Sequence, residues 1–127
     1  MLESEEIKKL FDKLIASPEH LFPENGKVYI SDKHGVYIIY SPSNEILHVG
    51  TTKTAKGGLN QRLLNHVRNQ SSFSVGYMQP NSISLRKGYK FKFIEVENAR
   101  TRALLEALTA GLLCPAHFGT GEKKNSK

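Results

Sequence analysis

The chain reads as an α+β domain, a small three-stranded sheet with helices packed against it. Three observations predict this. Two short apolar runs, GVYIIY (35–40) and EILHVG (45–50), are separated only by the turn-forming SPSN, the pattern of a β-hairpin. A third run, YKFKFIEVE (89–97), is rich in aromatic and β-branched residues. Around these runs, apolar residues recur at helical spacing. A length of 127 residues suits one domain with a real core and no cross-links.

Taken in order, residues 4–16 predict an amphipathic helix with Ser4 as its cap and glutamates in its first turn. Its stripe of Ile7, Leu10, Phe11 and Leu14 is expected to pack on the domain, with a dimer surface as the alternative. Pro18, Pro23 and ENG mark a loop. The hairpin strands pair antiparallel because their connection is short. A loop over 51–58 leads into a helix over 59–69 carrying Leu59, Leu63 and Val67. The stretch 70–88 is polar and turn-rich and predicts no element; Phe73, Tyr77 and Met78 within it are expected to cover the core rather than stack on nucleic-acid bases. Phe91, Phe93, Ile94 and Val96 give the third strand its apolar character. A last helix runs from Asn98 to about Leu113, with Leu104, Leu105, Leu108 and Leu112 as its apolar side and Pro115 and Gly119 ending it. The expected organisation is an N-terminal helix and linker (1–30), the main domain (31–119) and a basic tail (120–127) expected to be disordered.

The formal net charge of +6 favours polyanionic partners, nucleic acid first. A single cysteine, Cys114, excludes an internal disulfide and a cysteine-rich zinc site and fits a reducing, cytoplasmic setting. No apolar run approaches the ~18 residues of a membrane span, and MLESEEIKKLF is too acidic for a signal peptide.

The segment LHVGTTKTAKGGLNQRLLNHV (47–67) superficially suggests a phosphate-cradling loop before a helix. A P-loop requires glycine directly before its lysine, whereas Lys53 follows Thr52 and the other motif glycine is absent too. Another role is needed for this loop.

Five side chains are candidates for chemistry. Arg62 and His66, four apart on a helix, share a face that the apolar positions overlap only at the edge, so the pair is expected at a rim between core and solvent. A guanidinium beside an imidazole suits a phosphate; an ordinary solvated helix face is the alternative. Tyr37 and His48 each lie between apolar neighbours in paired strands and are expected on one sheet face. They offer proton transfer, with the imidazole titrating near neutrality, or form an ordinary buried hydrogen bond. Glu106 interrupts the apolar RALLEALTAGLL, which suits a cleft or a metal, unless it simply pairs with Arg102 one turn earlier.

Taken together, GVY (35–37), HVG (48–50), LNQRLLNH (59–66), a further strand and LLEALTAGLLCP (104–115) resemble the GIY-YIG nuclease superfamily over roughly Lys33 to Phe118. The resemblance implies a three-stranded antiparallel sheet flanked by helices and a metal-dependent endonuclease that hydrolyses DNA phosphodiester bonds. It implies that Tyr37 helps to activate water, that His48 supports the nucleophile or phosphate, and that Arg62, with His66 as in some members, binds the scissile phosphate. Glu106 is implied as the one protein ligand of a single Mg2+ or Mn2+ ion.

Lys53, Lys56, Arg62 and Arg68 are expected along the nucleic-acid backbone, with Gly57-Gly58 supplying flexibility. Tyr37 needs cationic neighbours, Lys53 and Arg62, to lower its pKa. Two positions depart from the family pattern. His48 stands where tyrosine is usual, which would lower the pH optimum, and PAHFGTG replaces an expected asparagine, with His117 as the substitute. These departures motivate the alternative of a weak or inactive domain that binds nucleic acid or a protein partner. The sequence shows no recognisable zinc finger or helix-turn-helix, so a partner protein or a second domain is expected to supply targeting; a homodimer is the other assembly expected.

Overall fold

Strand periodicity and hairpin spacing produce the expected α+β architecture in the computed structural model, which describes residues 1–53 and 56–118. Along the chain run helix α1 (Glu3–Ile15), strands β1 (His20–Leu21), β2 (Gly35–Tyr40) and β3 (Ile46–Thr51), and helix α2 (Gly58–Val67). A single π-helical turn (Ser74–Met78), strand β4 (Lys90–Glu95) and helix α3 (Ala99–Leu113) follow. The sheet has four strands rather than three, in the order β1-β4-β2-β3, with every neighbouring pair antiparallel. The added strand is two residues long and pairs His20 with Phe91 and Leu21 with Lys90. Two residues carry no readable alternation, and their partners lie far along the chain.

Strand β2 is buried along its whole length because both faces of the sheet are covered. On one face Tyr37, Ile39, Leu47 and Phe91 pack with Leu59 and Leu63 of α2 and with Phe73 and Met78. On the other, Val36, Ile38, Val49 and Ile94 pack with Ile7 and Leu14 of α1 and Leu105 of α3. The N-terminal stripe therefore packs on the domain, with Leu10 and Phe11 at its margin, and an Arg100–Glu3 ion pair of 2.8 Å joins α3 to α1 at the surface. Phe73 and Met78 lie in the core, and Tyr77 packs beside them. Their burial removes Phe73 and Met78 as platforms for bases.

Helix ends differ from expectation in detail. Ser4 lies inside α1, whose N-cap is Leu2 without a side-chain cap. Asn98 does cap α3, its side chain accepting from the Thr101 amide at 3.0 Å. Leu112 is 59% exposed and so lies off the packed side of α3. Cys114, in the left-handed conformation (φ 48°), ends that helix ahead of Pro115. Gly119 and the tail 120–127 lie outside the described residues. Among the described residues, no helix is long and apolar enough to cross a membrane.

Candidate active site

Strand parity builds the first part of the site. Tyr37 pairs with Gly50 and Ile39 with His48, so Tyr37 and His48 are diagonal neighbours on one face, with ring centroids 6.1 Å apart. Gly50 is needed here: a Cβ at that position would overlap the Tyr37 hydroxyl. Helix α2 covers this face and brings His66 5.5 Å from Tyr37 and 5.1 Å from His48, centroid to centroid.

His66 does not sit at a rim. It is 0% exposed, because the π turn and Phe73 wall it in on the side away from the sheet. The Tyr37 hydroxyl bonds His66 Nε2 at 2.5 Å, and His66 Nδ1 bonds Ser71 Oγ at 2.6 Å. Ser71 Oγ lies 2.8 Å from Ser74 Oγ, and Ser74 Oγ donates to the His66 carbonyl at 2.7 Å.

His48 stacks on Phe73 at 4.5 Å, and its Nδ1 lies 3.1 Å from His117 Nδ1. The segment after α3 makes this contact possible. Ala116 and His117 donate backbone hydrogen bonds to Ile46 and Leu47, so the chain runs along the outer edge of β3 and returns an imidazole to the Tyr37 face. His117 is thereby held against His48 on the Tyr37 face of the sheet.

Burial dominates the electrostatics. It depresses His48 to about 3, with the neighbouring His117 and Arg62 adding to the shift. The same causes, with His48 included, hold His66 well below its ordinary value. Both rings are neutral at pH 7, so His48 does not titrate near neutrality and gives no reason for a lowered pH optimum. Burial raises the Tyr37 phenol, and the opposing pull of the Arg62 charge does not offset it. The expected lowering of Tyr37 is therefore reversed, and Lys53 acts on Glu106 instead. The Tyr37 hydroxyl keeps its proton and has a neutral imidazole against it.

Glu106 approaches from α3, which packs against β3, the edge strand. The alternative pairing with Arg102 does not form. Arg102 turns inward and donates to the carbonyls of Val96 (3.1 Å) and Glu97 (2.7 Å). Glu106 is half-buried and has no hydrogen bond or ion pair among the described residues. Burial raises its carboxyl pKa, opposed by the Lys53 and Arg62 charges, and its own charge is felt at Tyr37. The Arg62 charge is felt at the phenol, at the His48 and His66 imidazoles and at the carboxylate, although α3 packs on the sheet face opposite Tyr37. Among the described residues no three His, Cys, Asp or Glu side chains form a metal-holding group.

Of the five candidates, Arg62 lines a cavity of about 220 Å³, together with Thr52, Lys53, Lys56, Gly58, Gln61 and Asn65. Lys53 and Lys56 are exposed and Arg62 is half-buried. Arg68, exposed at the C-terminal end of α2, does not line it. Gly58, at the mouth, allows a close backbone approach. The Leu59 and Asn60 amides donate to the carbonyls of Lys33 and Ser31, and a Cβ on Gly58 would overlap the backbone of Asp32 and Lys33. Ser71, Ser74 and the His48–His117 contact carry no local signal in the sequence, because each partnership closes only in three dimensions.

In comparisons with known proteins, the chain matches no family model and no curated protein.

Proposed function

We propose that the protein is a metal-dependent endonuclease of GIY-YIG type that hydrolyses phosphodiester bonds in DNA and acts in the cytoplasm. The observation that carries this reading is Glu106: a half-buried carboxylate without an ion-pair partner among the described residues, set within the electrostatic reach of Arg62, Lys53 and Tyr37. Leaving such a group unpaired costs stability, a cost that a bound cation would offset.

A lone carboxylate fits Mg2+ or Mn2+, since Mg2+ keeps several of its waters when bound by one or two carboxylates. Such an ion supplies Lewis-acid neutralisation of the charge that develops on the phosphate and leaving oxygen. The chain's own residues do the rest. Arg62, with Lys53 and Lys56, offers the cavity they line to a phosphate. Attack transfers a water proton to Tyr37 Oη as Tyr37 passes its own proton to His66 Nε2. A P–O bond forms to the water oxygen, the P–O bond to the leaving oxygen breaks, and that oxygen takes a proton from solvent while the His66 imidazolium returns one. The neutral imidazole lies 2.5 Å from the phenol, within reach of its proton, although burial makes the ring a weak base.

One observation favours the second reading, a domain that binds nucleic acid or a partner protein without cutting: Tyr37 is 0% exposed. Incubation of supercoiled plasmid with purified protein and Mg2+ or Mn2+, beside Glu106→Ala, separates the two. The nuclease reading expects nicking by the wild type and at least a hundredfold less by the variant, in line with general acid–base and electrostatic contributions of ~10²-fold or more. Equal nicking by both, or none by either with retention of the plasmid, overturns it.

A further inference from the structure

The hydrogen bonds around His66 can be given directions without ambiguity, starting from the one atom that can only accept. The His66 carbonyl oxygen accepts from Ser74 Oγ at 2.7 Å, which uses the single hydroxyl proton of Ser74. The Ser74 oxygen must then accept in its 2.8 Å contact with Ser71, which uses the single hydroxyl proton of Ser71. Ser71 Oγ also accepts from the Ser74 amide at 3.1 Å. With its proton committed, Ser71 can only accept in its 2.6 Å contact with His66 Nδ1. His66 Nδ1 therefore carries a proton. Because the ring is neutral, Nε2 carries a lone pair, and it faces the Tyr37 hydroxyl.

We propose that Ser71 and Ser74 are positioning residues that lock His66 in the Nδ1–H tautomer, leaving Nε2 as the fixed acceptor for the Tyr37 proton. The lock matters because the opposite tautomer would donate from Nε2 to the phenol and could not receive its proton. It also serves the product of transfer, since Ser71 accepts from Nδ1–H whether the ring is imidazole or imidazolium. The role is that of the group that orients the histidine in a catalytic triad, filled here by a neutral hydroxyl anchored on a backbone carbonyl. The charged and titratable groups facing His66 are Tyr37 from β2, His48 from β3, Arg62 from its own helix and His117 from the segment after α3. None of them contacts Nδ1, so Ser71 alone sets the state of that nitrogen. The catalytic meaning of the lock rests on the nuclease reading; the tautomer itself does not.

The test is the 15N and 13C signature of the His66 ring in labelled protein, together with plasmid nicking. Wild type is expected to show a protonated Nδ1 and an unprotonated Nε2. Ser71→Ala is expected to shift the ring toward Nε2–H and to reduce nicking by about 10- to 100-fold, the usual scale for a group that orients a ligand or base. Ser74→Ala frees the Ser71 proton to turn toward Nδ1 and is expected to give a mixture of tautomers. Ser71→Thr keeps the hydroxyl and is expected to restore the wild-type signature and most of the nicking. An Nε2–H ring in the wild type overturns the proposal, whatever the variants do. So does an unchanged Nδ1–H ring in a folded Ser71→Ala. If the tautomers behave as expected and neither the wild type nor any variant nicks DNA, the nuclease reading falls and the lock stands.

Discussion

Arg102 and Glu106 stand one turn apart on α3 and do not pair. The guanidinium of Arg102 is spent on the carbonyls of Val96 and Glu97, where the chain leaves β4. Glu106 is left as a half-buried carboxylate answered only at a distance by Lys53 and Arg62.

That separation predicts an exchange of stability for function. The folded Glu106 carboxyl has a pKa raised above its ordinary 4.5 by burial. Its favourable contribution is therefore complete below about 4.5 and is lost as pH rises through the folded value. Glu106→Gln removes the charge and keeps the shape. Its melting temperature should exceed that of the wild type at pH 7.5, and the gap should close by pH 4, while nicking is lost. A gap of equal size at both pH values would show that the carboxylate is not desolvated.

The buried histidines predict acid lability of the opposite sign. His48 and His66 have folded values depressed below 6.5, so their contribution is complete above pH 6.5 and falls away as the unfolded chain takes up protons. For His48 the loss continues down to about pH 3. At pH 5 each ring costs up to about 2 kcal/mol relative to pH 7.5. Urea unfolding at the two pH values measures this cost. His48→Phe, which keeps the stack on Phe73, should lose about half of the pH dependence. A variant with the wild-type dependence would mean that His48 is solvated.

The cavity predicts which cations meet a polyanion. Replacing Lys53 and Lys56 together by alanine should weaken duplex DNA binding and reduce the slope of log affinity against log salt by about 1 for each phosphate no longer neutralised. Arg68→Ala, at the other end of α2, should change the slope less. Fluorescence anisotropy across a salt series reads both. An unchanged slope in the double variant would take the cavity out of the interface.

Much of the architecture is legible in local sequence. The hairpin, α2, β4 and α3 follow from alternation, helical period and an Asn98 cap, all of which act over a few residues. Alternation against apolar neighbours also put Tyr37 and His48 on the same face, and the register that pairs Tyr37 with Gly50 and Ile39 with His48 places them so. Strand β1 was not legible, since two residues hold no period and pair with Phe91 and Lys90 across most of the chain.

Local spacing put His66 on the correct side of α2 and gave its surroundings wrongly. Helical period assigns a direction, but exposure depends on what stands opposite, and here a π turn from the unreadable stretch closes over the ring. The same enclosure reversed the expected lowering of Tyr37, because desolvation by remote segments outweighs one neighbouring charge. Residue order was sufficient for the kinds of groups present, their strand and helix, and the side of each element they occupy. Which of them are dry, which nitrogen holds a proton, and that Glu106 rather than Arg102 is left unanswered were decided by contacts between segments far apart in the chain. Solvent exclusion is a property of the assembled walls, and no single stretch of sequence contains them.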